Sequence, residues 1–112
     1  MKTIKQSLKT LFLTCFLSAL PLFPFFAANY YWTGANSNIF NNAGNWKTDT
    51  QNPAPDYPRQ DDDVFFDIVT PQMTVRIQNS MNVHSITCTQ SGYTLQLNNT
   101  LNVYGNLLLN GN

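Results

Sequence analysis

The chain has 112 residues, and its six lysines and arginines are balanced by six aspartates. That neutrality excludes the basic excess with which a protein holds a nucleic-acid backbone. Its two cysteines, Cys15 and Cys88, lie on either side of a sharp change in composition and make no disulfide framework.

Residues 1–28 read as a targeting segment. Lys2, Lys5 and Lys9 make a basic start, residues 11–28 (LFLTCFLSALPLFPFFAA) are uncharged, and the run ends on small side chains. This predicts a signal-peptide helix, cleaved near Ala27, Ala28 and Asn29. An uncleaved membrane anchor is the rival reading, but Pro21 and Pro24 each remove a helix donor and the apolar run is short for a span. Cys15 raises a lipoprotein reading. Thr14 stands where a small residue is wanted, and the apolar run continues past the cysteine. Cleavage would leave Lys47, Arg59 and Arg76 against six aspartates, a net charge of −3, with Cys88 as the single thiol. So small a chain without staples has a small core and is marginal alone.

Residues 29–70 form the next region. Gly34, Gly44, Pro53, Pro55 and Pro58 punctuate residues 29–63, which predicts an irregular, turn-rich segment. VFFDI at 64–68 reads as a buried strand, and Thr70-Pro71 as a turn.

Residues 71–112 have a different texture. TVRIQ, MNVHSITCT, YTLQL, TLNVYG and LLLNG read as short strands separated by Asn, Ser and Gly. Residues 74–84 (TVRIQNSMNVH) align with 94–104 (TLQLNNTLNVY) at an offset of 20, and every apolar position keeps its class. Beyond that, Ile86 meets Leu107 if one residue is inserted. The repeat predicts an all-β chain, the start of a right-handed β-helix (β-solenoid) with an irregular N-terminal cap. Val75 would stack on Leu95, Ile77 on Leu97, and Asn79 on Asn99 as an amide ladder. A small β-sandwich of similar hairpins is the alternative. The pattern stops at LLLNGN without a visible closing cap, so a fragment of a longer coiled protein is expected. Alternatively, the open strand edge pairs with another chain.

An order of short motifs carries a resemblance. YWTG (31–34) is followed by GNW (44–46), the Pro-rich PAPDYP (53–58), the acidic DDDVFFD (61–67) and a TV strand. This order, with LNVYGNLLLNG at 101–111, resembles the N-terminal region of secreted bacterial β-helix proteins. These include autotransporter-type passenger domains and the large surface adhesins of several Gram-negative groups. The resemblance spans residues 30–112 and implies a right-handed β-helix at the cell surface or secreted. It implies no single activity, since this scaffold carries adhesins, structural proteins and some enzymes.

Several residue groups invite chemical readings. Trp32 and Trp46, with Tyr31, would suit a carbohydrate platform; the competing reading has the indoles sealing the first coil. Asp61, Asp62 and Asp63, with Asp56 and Asp67, suggest calcium. Their spacing lacks the glycine of a calcium loop, and a solvated turn explains them as well. His84 and Ser85 have no surrounding nucleophile motif, and Cys88 reads as an interior filler. Asn98-Asn99-Thr100 matches a glycosylation sequon and also a turn. No catalytic, metal or cofactor set emerges, so a non-enzymatic chain without a cofactor is expected.

These observations predict an exported protein, at the outer-membrane surface or extracellular, with a structural or adhesive role. Its expected partners are glycans or proteins of host or neighbouring-cell surfaces. Nucleic acid is not expected, nor is a membrane except through the export signal. A carbohydrate-binding module using Trp32 and Trp46 is the first alternative. A polysaccharide-active β-helix enzyme is the second, and the coils from residue 74 onward offer it only Arg76 and no carboxylate.

Overall fold

The computed structural model describes residues 27–109. The predicted signal-peptide helix and nearly all of residues 1–28 lie outside that range. Nine short strands follow in chain order: β1 (Asn29–Trp32), β2 (Trp46–Lys47), β3 (Asp63–Phe66), β4 (Thr74–Ile77), β5 (Met81–Val83), β6 (Ser85–Cys88), β7 (Thr94–Leu97), β8 (Leu101–Val103) and β9 (Leu107–Leu109). A single 3-10 turn, Ala43–Asn45, precedes β2. Among the described residues the chain is all-β, as the sequence predicts.

The strands form three sheets. The first has five strands in the order β9-β6-β3-β1-β2; the second pairs β4 with β7, and the third pairs β5 with β8. From β3 onward the chain visits first, second and third sheet in turn, repeats that cycle, and returns to the first with β9. Every pairing is parallel except that of β1 with β2. Thr74 lies beside Thr94 and Met81 beside Leu101, the same offset of 20 at which the sequence repeats. In the first sheet Ile86 lies beside Leu107, one residue further on, as the inserted residue requires.

Alternation in the sequence becomes alternation of burial. In β1, β3 and β4 every second residue is buried: Tyr30 and Trp32, Val64 and Phe66, Val75 and Ile77. Register then aligns these residues into columns, with Tyr30, Val64, Ile86 and Leu107 forming one of them. MNVHSITCT is two strands, because His84 is a corner at which the chain leaves the third sheet for the first. VFFDI is a shorter strand than predicted. It ends at Phe66, and Ile68 is half exposed beyond it. β3 stacks directly under β6, so the parallel stack begins upstream of residue 71.

The segment before β3 is more ordered than its turn-rich composition predicts. Residues 38–40 extend the second sheet beyond β4: Arg76 donates to the Asn38 carbonyl at 2.7 Å, and Phe40 donates back to the Arg76 carbonyl at 3.0 Å. Asn45 holds this loop together from a fully buried position. Its Oδ1 accepts from the Asn36 and Ser37 amides at 2.8 and 2.7 Å, while its Nδ2 donates to Ser37 Oγ and the Ile39 carbonyl at 2.9 and 2.8 Å. All four hydrogen-bonding sites of the side-chain amide are therefore used, which is what its burial demands. Gly34 takes φ +57, and a Cβ there would lie 2.9 Å from Gln72 Cβ, so the turn after β1 requires glycine.

Two isoleucines separate burial from composition. We predict that Ile86→Ala, inside the column, costs about 2–5 kcal/mol by urea unfolding. Ile68→Ala, outside it, should change stability by less than about 1 kcal/mol. Equal effects would contradict the register described here.

Candidate functional site

Trp32 and Trp46 are both fully buried. Their rings meet edge to face, with centroids 5.0 Å apart and planes at 78°, and Phe40 and Tyr30 pack edge-on against Trp46. Each indole N–H has a partner: Trp32 Nε1 donates to the Gln72 carbonyl at 2.8 Å and Trp46 Nε1 to the Phe40 carbonyl at 2.7 Å. Neither ring therefore presents a face to a sugar. Tyr31 points to the opposite side of the sheet. It stacks on Phe65 at 5.1 Å, its hydroxyl donates to Asp49 Oδ1 at 2.9 Å, and Lys47 lies over its ring from the strand on the other side. The structure thus buries Trp32 and Trp46 together and sets Tyr31 apart on the other side of the sheet.

The aspartate run is not a uniformly solvated turn. Asp62 is buried, and its two carboxylate oxygens accept from the Ala28 and Arg59 amides at 3.0 and 2.8 Å. Asp56 pairs instead with Arg59 at 3.1 Å. The carboxylates diverge, and among the described residues no group of three or more His, Cys, Asp or Glu is placed to hold a metal ion.

Asp63, His84 and Ser85 do converge. Ser85 Oγ donates to Asp63 Oδ1 at 2.5 Å, and His84 Nδ1 lies 2.9 Å from the same oxygen. In a nucleophilic site the serine would hydrogen-bond the imidazole, which removes its proton. Here both side chains address the carboxylate, so the arrangement fastens the His84 corner to β3. Cys88 is half-buried, its Sγ donates to the Gln90 carbonyl at 3.3 Å, and burial pushes its thiol up from the ordinary value. That opposes the thiolate a reactive cysteine needs.

The amide ladder also differs from expectation. Asn79 accepts from Asn41 Nδ2 at 3.0 Å, and Asn99 instead accepts from Ser80 Oγ at 2.9 Å. The rung that forms is one strand further on, where Asn102 Nδ2 donates to Asn82 Oδ1 at 2.9 Å. Asn82 and Asn102 are exact register partners on the outside of β5 and β8, which brings their amides together.

The feature that stands apart is the last layer, β7 to β9. Its side chains occupy the same columns as buried ones beneath, yet Leu97 and Leu107 are exposed, and Leu95, Leu101 and Val103 are only partly buried. Ile77 is 0 % exposed and its partner Leu97 58 %; Ile86 is 1 % exposed and its partner Leu107 56 %. Leu109, beside Cys88, is likewise exposed. A cavity of about 230 Å³ opens there, lined by Phe66, Ile86, Cys88, Tyr93, Leu95 and Leu109. Among the described residues, all three strands of this layer are edge strands. Leu97, Leu107, Leu108 and Leu109 thus leave large apolar side chains exposed on these strands. Its signal in the sequence is the run of leucines at 95, 97, 101 and 107–109, with no charge from Ile77 to Asn112.

No known protein family matches the chain, and no curated protein or solved structure matches it.

The Asp63 cluster gives this region an acid dependence. Its carboxyl is held below the ordinary aspartate range, first by the Ser85 hydrogen bond and then by His84. A carboxyl with a depressed folded pKa stabilises the fold above its unfolded value of about 3.9 and loses that contribution as pH falls through the lower folded value. We predict that the urea midpoint falls on acidification below about pH 4. Asp63→Asn should be less stable at pH 7 and lose less between pH 7 and pH 3. An equal acid loss in both proteins would assign it to other carboxylates.

Proposed function

We propose that this chain is the cap and first coils of an exported β-solenoid with a structural or adhesive role. One observation supports the reading most strongly: the chain cycles through three sheets in fixed order, with parallel pairing at offsets of 20 to 22 residues from β3 onward. Hairpins in a sandwich would pair neighbouring strands antiparallel. Among the described residues, the only antiparallel pair is β1 with β2, at the N-terminal end, where a coil stack needs closing. The aromatic segment from Tyr30 to Trp46 lies there, over columns that would otherwise open to water. Its burial supports a sealing role and gives no support to a sugar platform on Trp32 and Trp46.

A scaffold role fits the chemistry of the outer faces. They carry threonine, asparagine and glutamine, a few aspartates, Lys47 and Arg76, and the Tyr31–Phe65 stack, and the clusters described above hold the fold together. Such a surface displays and spaces; it assembles no reacting groups. Export is supported by the basic-then-apolar order of residues 1–28. The occupant of the open last layer is a further β layer, either another coil or a second chain.

Cell fractionation with intact-mass measurement tests export. When the whole chain is expressed in a Gram-negative host, we predict that it leaves the cytoplasm with a new N-terminus at or next to Asn29. A cytoplasmic protein that keeps Met1 or Lys2 would overturn the export half of the proposal.

A further inference from the structure

We infer that processing cuts the bond between Ala27 and Ala28, and that the amino group it creates on Ala28 forms an ion pair with the buried carboxylate of Asp62. This rests on the reading of residues 1–28 as an export signal. It names the bond that is cut and what the cut does to the fold.

The sequence leaves two bonds open. A cut after Ala27 or after Ala28 follows an alanine in either case, with a phenylalanine two residues further back, Phe25 or Phe26. The structure distinguishes them. Ala28 belongs to the fold: its side chain packs against the core, its N–H donates to Asp62 Oδ1 at 3.0 Å, and its carbonyl accepts from the Asp63 amide at 2.9 Å. Ala27 is exposed. A cut after Ala28 would take away one of the two donors to the Asp62 carboxylate and the acceptor for the first amide of β3. A cut after Ala27 keeps both.

Asp62 is the second observation. It is 8 % exposed, and its carboxylate is held by two backbone amides, those of Ala28 and Arg59. Among the described residues no cationic side chain pairs with it. Burying a charge is costly unless it is both hydrogen-bonded and paired. The other carboxylates around this end are engaged elsewhere: Asp63 by His84 and Ser85, Asp56 by Arg59, and Asp49 by Tyr31 and Asn29. Asp62 is therefore the carboxylate set against the Ala28 nitrogen, which is where the cut places a positive charge.

Hydrolysis adds one water across the Ala27–Ala28 bond. Ala27 leaves as a carboxylate, and the Ala28 nitrogen becomes an ammonium. Before the cut a neutral amide meets Asp62; after it, opposite charges meet across the same contact. The processed chain so gains a charge-assisted hydrogen bond that the precursor lacks. Its fold tightens once the signal has gone.

Amino-terminal sequencing of the protein exported from a Gram-negative host tests the position. The pH midpoint of its α-amino group, read from the pH dependence of acylation, tests the ion pair. The expected first residue is Ala28. Its amine should titrate at least about one pH unit above the ordinary value of about 7.7–8.0, because a carboxylate within hydrogen-bond reach favours the ammonium. Burial without a countercharge would move it down instead. At pH 8 the amine should then be at least about tenfold less available than its free-peptide counterpart. Asp62→Asn should return the midpoint to the ordinary value or below. Should that variant lose its β-sheet circular dichroism, the parent's midpoint still decides. An exported chain that begins at Asn29, or upstream of Ala28, would overturn the inference and leave the export reading standing. So would an Ala28 amine that titrates at or below the ordinary value, or a folded Asp62→Asn protein whose midpoint stays raised. A chain kept in the cytoplasm with its first residues in place would remove the export reading and the inference together.

Discussion

The column of Tyr30, Val64, Ile86 and Leu107 states the constraint on which the fold depends. In the proposed solenoid, a coil of three short strands points its apolar side chains inward but cannot cover them above and below. Each layer is dry only because another lies on either side of it. Parallel register makes this work, since it places like residues over like and leaves each strand's edge for the next. A fold of the proposed kind therefore has no natural stop, and both of its ends need a separate solution.

At the N-terminal end that solution is local and polar as well as apolar. Three large rings, Trp32, Phe40 and Trp46, fill the space, and Asn45 fixes the loop that carries them. Trp46 Nε1 donates to the Phe40 carbonyl, so filling the core and closing the loop are one act. At the other end the same columns run into solvent at Leu97 and Leu107. Because identical positions are dry in one layer and wet in the next, the difference comes from what lies above them and not from composition.

The repeat was readable because interior positions must keep an apolar side chain in each layer. Val75 with Leu95, Ile77 with Leu97 and Met81 with Leu101 are visible as pairs for that reason. Alternation likewise marks β3 and β4, where one face is buried. What the sequence hides is long-range and polar. Asn45 looks like any turn asparagine, and only tertiary packing gives its amide four partners. Asp62 reads as a solvated charge because its two donors, the backbone amides of Ala28 and Arg59, have no sequence signature. The tryptophans are conspicuous as residue types, but whether a ring faces a ligand or a core depends on the chain laid over it. The amide ladder is displaced for a similar reason: Asn41, far away in sequence, occupies Asn79.

The central proposal is that coils stack with the parallel register of β4 on β7 and β5 on β8, and engineered disulfides test it most directly. Register partners lie within the Cα separation a disulfide needs, about 4.4–6.8 Å, whereas a shift of two residues moves them to about 7–8 Å. In a background of Cys15→Ala and Cys88→Ala, the pair Arg76→Cys with Gln96→Cys should close within one chain, as should Asn82→Cys with Asn102→Cys. Both should keep the parent's β signal, and Thr74→Cys with Gln96→Cys should stay open. Closure of the shifted pair in preference to the two register pairs would contradict the stacked-coil account.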